Sequence, residues 1–233
     1  MSFVDLYLLG VFNKLAHTSY YFDTAVVLVG DSILIKGALL TSLLWLAWFR
    51  PGKSEKNNRE FVIAIIAATI TSILMIKIIR YFIPFEERPI RANIAGFVLP
   101  YGVTSETLWN WSSFPSDTAG FAMALSVGQI FIWGRRGALA VLFSLLFICM
   151  PRIYLGYHYP SDIAAGALIG AIVTTVMVQN KIRIPLSRRI LSWSEANPGV
   201  FYWAFFLATY EIATVFEDVR RTLTQIWIMT HHT

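Results

Sequence analysis

Long runs of apolar residues recur along the chain, and this pattern constrains the fold more than any other feature. Hydrophobic residues make up 56% of the sequence and charged residues only 14%, whereas a soluble domain carries about 25% charged residues. Most runs approach the length that a transmembrane helix needs, about 20 apolar residues. The sequence therefore predicts an all-α, polytopic transmembrane helical bundle. The clearest predicted spans cover residues 24–49, 61–82, 115–133, 138–152 and 163–179.

The two ends of the chain fit more than one interpretation. Residues 1–22 suit either an interfacial helix or a short first span, because polar residues interrupt their apolar pattern. Residues 200–216 are apolar but contain Glu211, which makes them a doubtful last span. No cleavable signal peptide is predicted, since the N-terminus lacks a basic leader segment. The single cysteine, Cys149, excludes an internal disulfide and a multi-cysteine metal site.

The distribution of basic residues predicts the orientation of the bundle. Arginine and lysine concentrate in residues 50–60, 134–137 and 181–189, and such loops face the cytoplasm. The polar segments 83–114 and 151–162 are then both expected at the outer face. The formal net charge of +5 gives no evidence for nucleic-acid binding, because the basic residues lie in short segments between apolar runs.

The segment PRIYLGYHYPSD, residues 151–162, joins two apolar runs and carries the strongest chemical pattern. His158 and Asp162 are one helical turn apart, so the carboxylate can accept one ring N–H and fix the tautomer. Arg152 offers a planar fork that suits an oxyanion such as phosphate. This pattern predicts a nucleophilic histidine, an orienting acid and a phosphate clamp.

Two further segments supply groups that could bind phosphate at the same face. In RYFIPFEERPIR, residues 80–91, Arg88 lies just beyond the predicted span 61–82, and Arg80 and Lys77 lie near the far end of that span. In SSFPSDTAGF, residues 112–121, a helix is expected to begin after Pro115. A helix start with free N–H groups is an anion site. Its capping residues and further candidate ligands are Ser116, Asp117 and Thr118.

The segment 151–162 resembles the third motif of the type-2 phosphatidic acid phosphatase superfamily, whose members are membrane lipid phosphatases. That motif reads Ser-Arg, five residues, His, three residues, Asp. Arg152, His158 and Asp162 match it, and Pro151 replaces the serine. The resemblance implies that His158 attacks phosphorus and that Asp162 orients it.

The other two motifs of this family occur in order, so the similarity covers about residues 60–180. Pro115 and Ser116 match the start of Pro-Ser-Gly-His, and Arg88 with Pro89 matches the end of Lys, six residues, Arg-Pro. The resemblance implies about six spans, an outward active site, and dephosphorylation through a phosphohistidine without metal. We predict one integral membrane lipid-phosphatase domain over residues 1–233.

The chain departs from the family pattern at two positions. The first-motif lysine should fall on Tyr81, and we expect Arg80, rather than Lys77, to take its place. The second-motif histidine, which protonates the leaving group in the family, is Thr118 here. Either the leaving group needs no acid, or Asp117 or Glu87 supplies the proton, or hydrolysis is impaired.

The sequence therefore predicts a phosphatase of a lipid diphosphate or phosphate, with a polyprenyl diphosphate as the preferred substrate. The alternatives are a phosphotransferase on the same scaffold and a catalytically impaired lipid-phosphate binding protein. No cofactor is predicted, and the expected partners are the lipid substrate and the bilayer. The expected location is the inner membrane, with the active site facing the periplasm. The sequence predicts no oligomeric state.

Overall fold

The computed structural model describes residues 2–52, 54–104 and 111–216, and within these ranges the regular structure is entirely helical. The predicted all-α membrane fold is confirmed. The helices are α1 Phe3–Asn13, α2 Tyr20–Asp31, α3 Leu39–Trp48, α4 Glu55–Phe82, α5 Asp117–Trp133, α6 Ala138–Phe143, α7 Met150–Tyr154, α8 Pro160–Met177, α9 Asn180–Ala196 and α10 Pro198–Ala213. π-helical turns at Leu34–Ala38 and Ser144–Cys149 precede α3 and α7.

Among the described residues, three helical stretches are long and apolar enough to cross a membrane: Glu55–Phe82, Asp117–Tyr154 and Pro160–Met177. A fourth candidate is α2 together with the helical stretch Leu34–Trp48, which bends by 54° where α2 ends. Ser32 has extended backbone angles and ends α2, so the predicted straight span 24–49 is bent. The count of about six spans stays a prediction.

The stretch Asp117–Tyr154 folds back on itself and forms two antiparallel legs. Ser126 on α5 and Ser144 after α6 bring their Oγ atoms to 2.5 Å. In a straight helix, residues 18 positions apart would be separated by about 27 Å. The reversal occurs at Gly134, whose φ of +59° favours glycine. This stretch therefore supplies two legs of the bundle.

Helices α4, α5 and α8 form the centre of the bundle, and glycines bring α5 and α8 into backbone contact. A Cβ on Gly166 would lie 2.1 Å from the Ser116 carbonyl oxygen, and one on Gly170 would lie 2.1 Å from that of Gly120. Small residues allow such close packing in membrane bundles. As a result the N-terminal ends of α5 and α8 lie side by side.

The basic stretch after α8 is a helix, which the sequence interpretation did not predict. Helix α9 covers residues Asn180–Ala196 and buries one stripe, namely Arg183, Ser187, Leu191 and Ser194. Its spacing of three to four residues is that of an amphipathic helix. The sequence interpretation missed this helical spacing because basic residues dominate the segment. The doubtful segment 200–216 forms α10, which packs its aromatic side chains against Trp45 and Trp48 of α3.

Candidate active site

The turn between α7 and α8 holds His158 at the centre of the candidate site. The imidazole is buried, and its backbone N–H donates to the Arg152 carbonyl over 3.2 Å. Gly156, at φ +71°, lets the chain turn here, and its carbonyl accepts from the Ile90 N–H. The turn therefore fixes His158 against Arg152 and against the loop that carries Arg88.

Asp162 lies in the first turn of α8 and is fully buried beneath His158. One carboxylate oxygen, Oδ2, is 3.5 Å from His158 Nδ1, which is ion-pair range without hydrogen-bond geometry. The same oxygen accepts from the Tyr159 N–H at 2.8 Å and from the Ser113 hydroxyl at 2.5 Å. These two donors fix the carboxylate on the Nδ1 side of the ring.

Arg88 reaches the other ring nitrogen of His158. Its Nη1 is 3.2 Å from Nε2 and also donates to the Tyr157 carbonyl. Further donations go to the carbonyls of Trp111 and Ser112, so backbone oxygens hold the guanidinium plane. Arginine cannot accept a hydrogen bond, so the contact requires a lone pair on Nε2. This geometry fits a neutral imidazole with its proton on Nδ1.

The ionisation of these groups follows from their burial. Burial lowers the pKa of His158 to about 4, and the Arg88 guanidinium adds to the effect against the opposing Asp162 carboxylate. Burial also lowers the pKa of Arg88 to about 10, with Arg80 and Arg152 contributing to the lowering. At neutral pH the site therefore contains a neutral histidine beside a crowded group of guanidinium cations.

The structure brings Arg80 and Arg152 to this site but leaves Lys77 at the surface. Arg80 donates to the Pro115 carbonyl at 2.8 Å and lies 3.8 Å from the Asp117 carboxylate. Arg152 is buried, with its guanidinium over the Tyr157 ring at 5.2 Å. Its Nε has no hydrogen-bond partner among the described residues. Lys77 is exposed on α4.

The start of α5 forms the remaining wall of the site. Ser116 is the N-cap residue, and its hydroxyl accepts from the Ala119 N–H at 3.3 Å. The Ser116 N–H donates to the Asp162 carbonyl, which ties this helix end to α8. Thr118 is buried, and its N–H donates to the Asp117 carboxylate at 2.8 Å. Glu87, considered as an alternative acid, is exposed.

Ser113 is the main site residue that the sequence interpretation missed. It is fully buried, and its hydroxyl makes the 2.5 Å contact with Asp162. Its N–H donates to the Glu86 carbonyl, which joins the loop of Arg88 to the segment before α5. The only sequence signal was its place in SSFPSD, where a serine before an extended segment has many ordinary roles.

Comparisons with known proteins show the family of the chain. The sequence pattern of the PAP2 superfamily matches residues 60–183, which contain every candidate site residue. Undecaprenyl-diphosphatase BcrC of Bacillus subtilis is 30% identical over 163 residues, covering 69% of this chain and 75% of that protein. Putative undecaprenyl-diphosphatase YbjG of Escherichia coli is 26% identical over 196 residues, covering 82% of this chain and 90% of that protein.

A solved structure supports the same fold. The crystal structure of Aquifex aeolicus LpxE superposes with a TM-score of 0.51 at 24% sequence identity, covering 74% of this chain and 93% of that chain. At this identity the likeness is evidence for the fold alone. Together with the family match over more than half of the residues, these findings show that the chain belongs to the PAP2 superfamily.

Proposed function

We propose that this protein hydrolyses a lipid diphosphate, with a polyprenyl diphosphate as the best candidate, through a phosphohistidine at His158. The predicted enzyme class, a phosphatase acting on lipid phosphates, agrees with the family and with the names of both relatives. One observation carries the mechanism: a buried imidazole lies between the Asp162 carboxylate on its Nδ1 side and the Arg88 guanidinium on its Nε2 side.

In the first step, Nε2 of His158 attacks the terminal phosphorus. A nitrogen–phosphorus bond forms while the bond to the bridging oxygen breaks, and the lipid monophosphate leaves with that electron pair. The imidazolium that forms is stabilised by Asp162. Arg88 must release Nε2 and transfer this donor to a phosphoryl oxygen, which its remaining contacts to backbone carbonyls allow. Water then attacks phosphorus, the nitrogen–phosphorus bond breaks with its electron pair returning to Nε2, and inorganic phosphate leaves with both protons of the water.

The phosphoryl oxygens are proposed to bind Arg80, Arg88 and Arg152, with Ser116 and the N–H groups at the start of α5. The buried Arg152 Nε, which lacks a hydrogen-bond partner among the described residues, supports this role. Burying a cation is costly unless it is paired. A bound phosphate would supply a negative charge to pair with the buried Arg152 guanidinium.

Thr118 favours a diphosphate over a monophosphate substrate. Threonine cannot donate a proton near neutral pH, whereas a departing phosphate needs less protonation than a departing alkoxide. Asp117 lies beside Arg80 and caps its own helix start, which suits a counterion better than a proton donor.

We further propose that the single domain lies in the inner membrane with this site facing the periplasm.

The deciding experiment compares phosphate release from undecaprenyl diphosphate, undecaprenyl phosphate and phosphatidic acid by purified protein in detergent, with and without EDTA. We expect release from the diphosphate, unaffected by EDTA. Equal release from the monophosphates would contradict the role given to the leaving group and would make Asp117 the next residue to replace. Loss of activity in EDTA would contradict the metal-free mechanism.

A phosphotransferase is the second candidate, because the same phosphohistidine could pass its phosphoryl group to a lipid or glycan. Substrate labelled in its terminal phosphate separates the two. Label recovered in solution supports hydrolysis, and label on a second lipid supports transfer. A binding protein without catalysis would give neither, and Thr118→His would then be expected to create activity.

A further inference from the structure

A groove of about 750 Å³ lies between α1 and the loop of residues 92–98. Its walls include the apolar side chains of Leu6, Leu9, Ile94 and Phe97. The sequence interpretation gave α1 no role beyond an interfacial helix or a short first span. The proposed chemistry of the phosphate site uses none of these residues.

Three polar side chains are among the residues that line the groove: Lys14 and Asn93 are exposed, and the buried Asn13 is already engaged. The Asn13 amide donates to the Val98 carbonyl at 2.6 Å, and its oxygen accepts the Val98 N–H at 2.8 Å. This two-way bridge pins the loop to α1 and leaves the amide with little capacity for a polar ligand. The groove therefore offers mostly hydrocarbon, which suits an apolar chain.

The walls of the groove pack against the active-site turn. Leu9 packs in one buried cluster with Ile153 and Tyr159, which directly follow Arg152 and His158 in sequence. Phe97 packs against the same cluster and also contacts Gly156, where a Cβ would lie 2.7 Å from its ring. A chain lying in this groove would therefore lie against the residues that hold the nucleophile.

The face of α1 outside the groove is exposed and apolar, which suits contact with lipid. Phe3 is 83% exposed, Tyr7 64% and Val11 45%. Such a face on a membrane protein lies in the bilayer, because a large apolar surface in water is unfavourable. A lipid chain could thus pass from the bilayer into the groove without crossing water.

We propose that this groove binds the isoprenoid chain of the substrate and so selects long-chain lipid phosphates. The inference rests on the function proposed above, since it assigns the tail of that substrate. The bilayer's own acyl chains are the competing occupant. Gly10 allows a direct test, because it faces the groove and a Cβ there would meet no described atom of another element within 4 Å.

The test replaces Gly10→Leu, with Gly199→Leu as the matched control. Gly199 is also helical, and a Cβ there equally meets no described atom within 4 Å. Leucine favours a helix over glycine, so folding should be kept. We expect the ratio of kcat/KM for undecaprenyl diphosphate to that for farnesyl diphosphate to fall about tenfold in the Gly10 variant. The Gly199 variant should keep the parental ratio, and an unchanged ratio for Gly10→Leu would overturn the proposal.

Photo-crosslinking tests occupancy without turnover. An undecaprenyl phosphate with a diazirine in its tail is expected to label α1 or residues 92–98, and Gly10→Leu should reduce this labelling. Labelling confined to other helices would overturn the groove assignment. Equal labelling by a diazirine phosphatidylcholine that undecaprenyl phosphate does not displace would assign the groove to bulk lipid. If the parent protein hydrolyses neither substrate, the proposed function fails, and the crosslinks still decide the groove.

Discussion

Buried arginines lie near both ends of α4, Arg183 of α9 near its start and Arg88 beyond its end, but their surroundings differ. Near the start of α4, Arg183 has its Nε 3.6 Å from the Glu60 carboxylate and stacks on Phe61 at 3.8 Å. At the other end, backbone carbonyls hold Arg88. Among the described residues, neither Arg88 nor Arg152 has a carboxylate within 4 Å.

The comparison separates a structural cation from one that is set up to bind an anion. Arg183 is paired inside the fold, so removing it would leave the Glu60 carboxylate without its partner. The carboxylates of Asp117 and Asp162 influence Arg88 from a distance, and those of Asp117 and the exposed Asp31 influence Arg152 in the same way. Neither guanidinium is held in an ion pair with a described residue, although both are buried. A phosphate bound near Arg88 and Arg152 would supply the negative charge that Glu60 supplies to Arg183.

The largest expected effect comes from removing the nucleophile. His158→Ala should lower kcat for lipid phosphate release by about 10⁴-fold or more, because no nitrogen remains to accept the phosphoryl group. The exposed His17→Ala is the control and should keep the parental rate. Phosphate release and trapping of an acid-labile phosphoprotein are the measurements. Full activity in His158→Ala would refute the mechanism.

The contrast between the two ends is tested by Arg152→Gln and Arg183→Gln. Arg152→Gln should lower kcat/KM by about 10²–10³-fold with little change in Tm, since it removes an unpaired cation from the phosphate site. Arg183→Gln leaves Glu60 unpaired and should cost about 3 kcal/mol of unfolding free energy. Activity per folded molecule should remain. If both variants lose mainly activity, or both lose mainly stability, the contrast between the two ends of α4 is wrong.

Ser113→Ala should lower kcat about tenfold with a smaller change in KM, because a hydroxyl bond to a carboxylate contributes about 1.5 kcal/mol. Ser113→Thr should restore part of the rate. The matched control is Ser126→Ala, which removes an equally short hydroxyl contact inside the α5–α6 hairpin. Steady-state kinetics and Tm distinguish them: a fall in Tm alone for Ser113→Ala would assign it a purely structural role.

The smallest effect concerns protonation of His158. A lowered pKa means that the folded protein keeps this imidazole neutral above about pH 4 and protonates it only as the pH falls through that value. An ordinary histidine titrates near 6.5. Imidazole NMR spectra of the parent protein and of His158→Gln should therefore show no titration of His158 between pH 5 and pH 8. A midpoint near 6.5 would contradict the buried, neutral nucleophile.

Much of the fold could be predicted from the sequence, because local runs of apolar residues are enough to indicate membrane helices. The runs 61–82, 115–133 and 163–179 correspond to α4, α5 and α8 with shifts at their ends. Helix α9 was missed because its buried stripe includes Arg183, a residue type that normally indicates solvent. Its contacts with Glu60 and Phe61, both far away in sequence, make that burial tolerable.

The sequence by itself determined which side chains could do chemistry, since the spacing of Arg152, His158 and Asp162 is local to one turn. Tertiary structure alone decided how they are held. The close approach of α5 and α8 brings Ser113 and Ser116 to Asp162, and a loop returning after α4 sets Arg88 on His158 Nε2. It also places the Arg80 side chain at the start of α5 and leaves Lys77 exposed, although the two residues are only three positions apart on α4. Contacts between distant segments depend on packing, which no local pattern encodes.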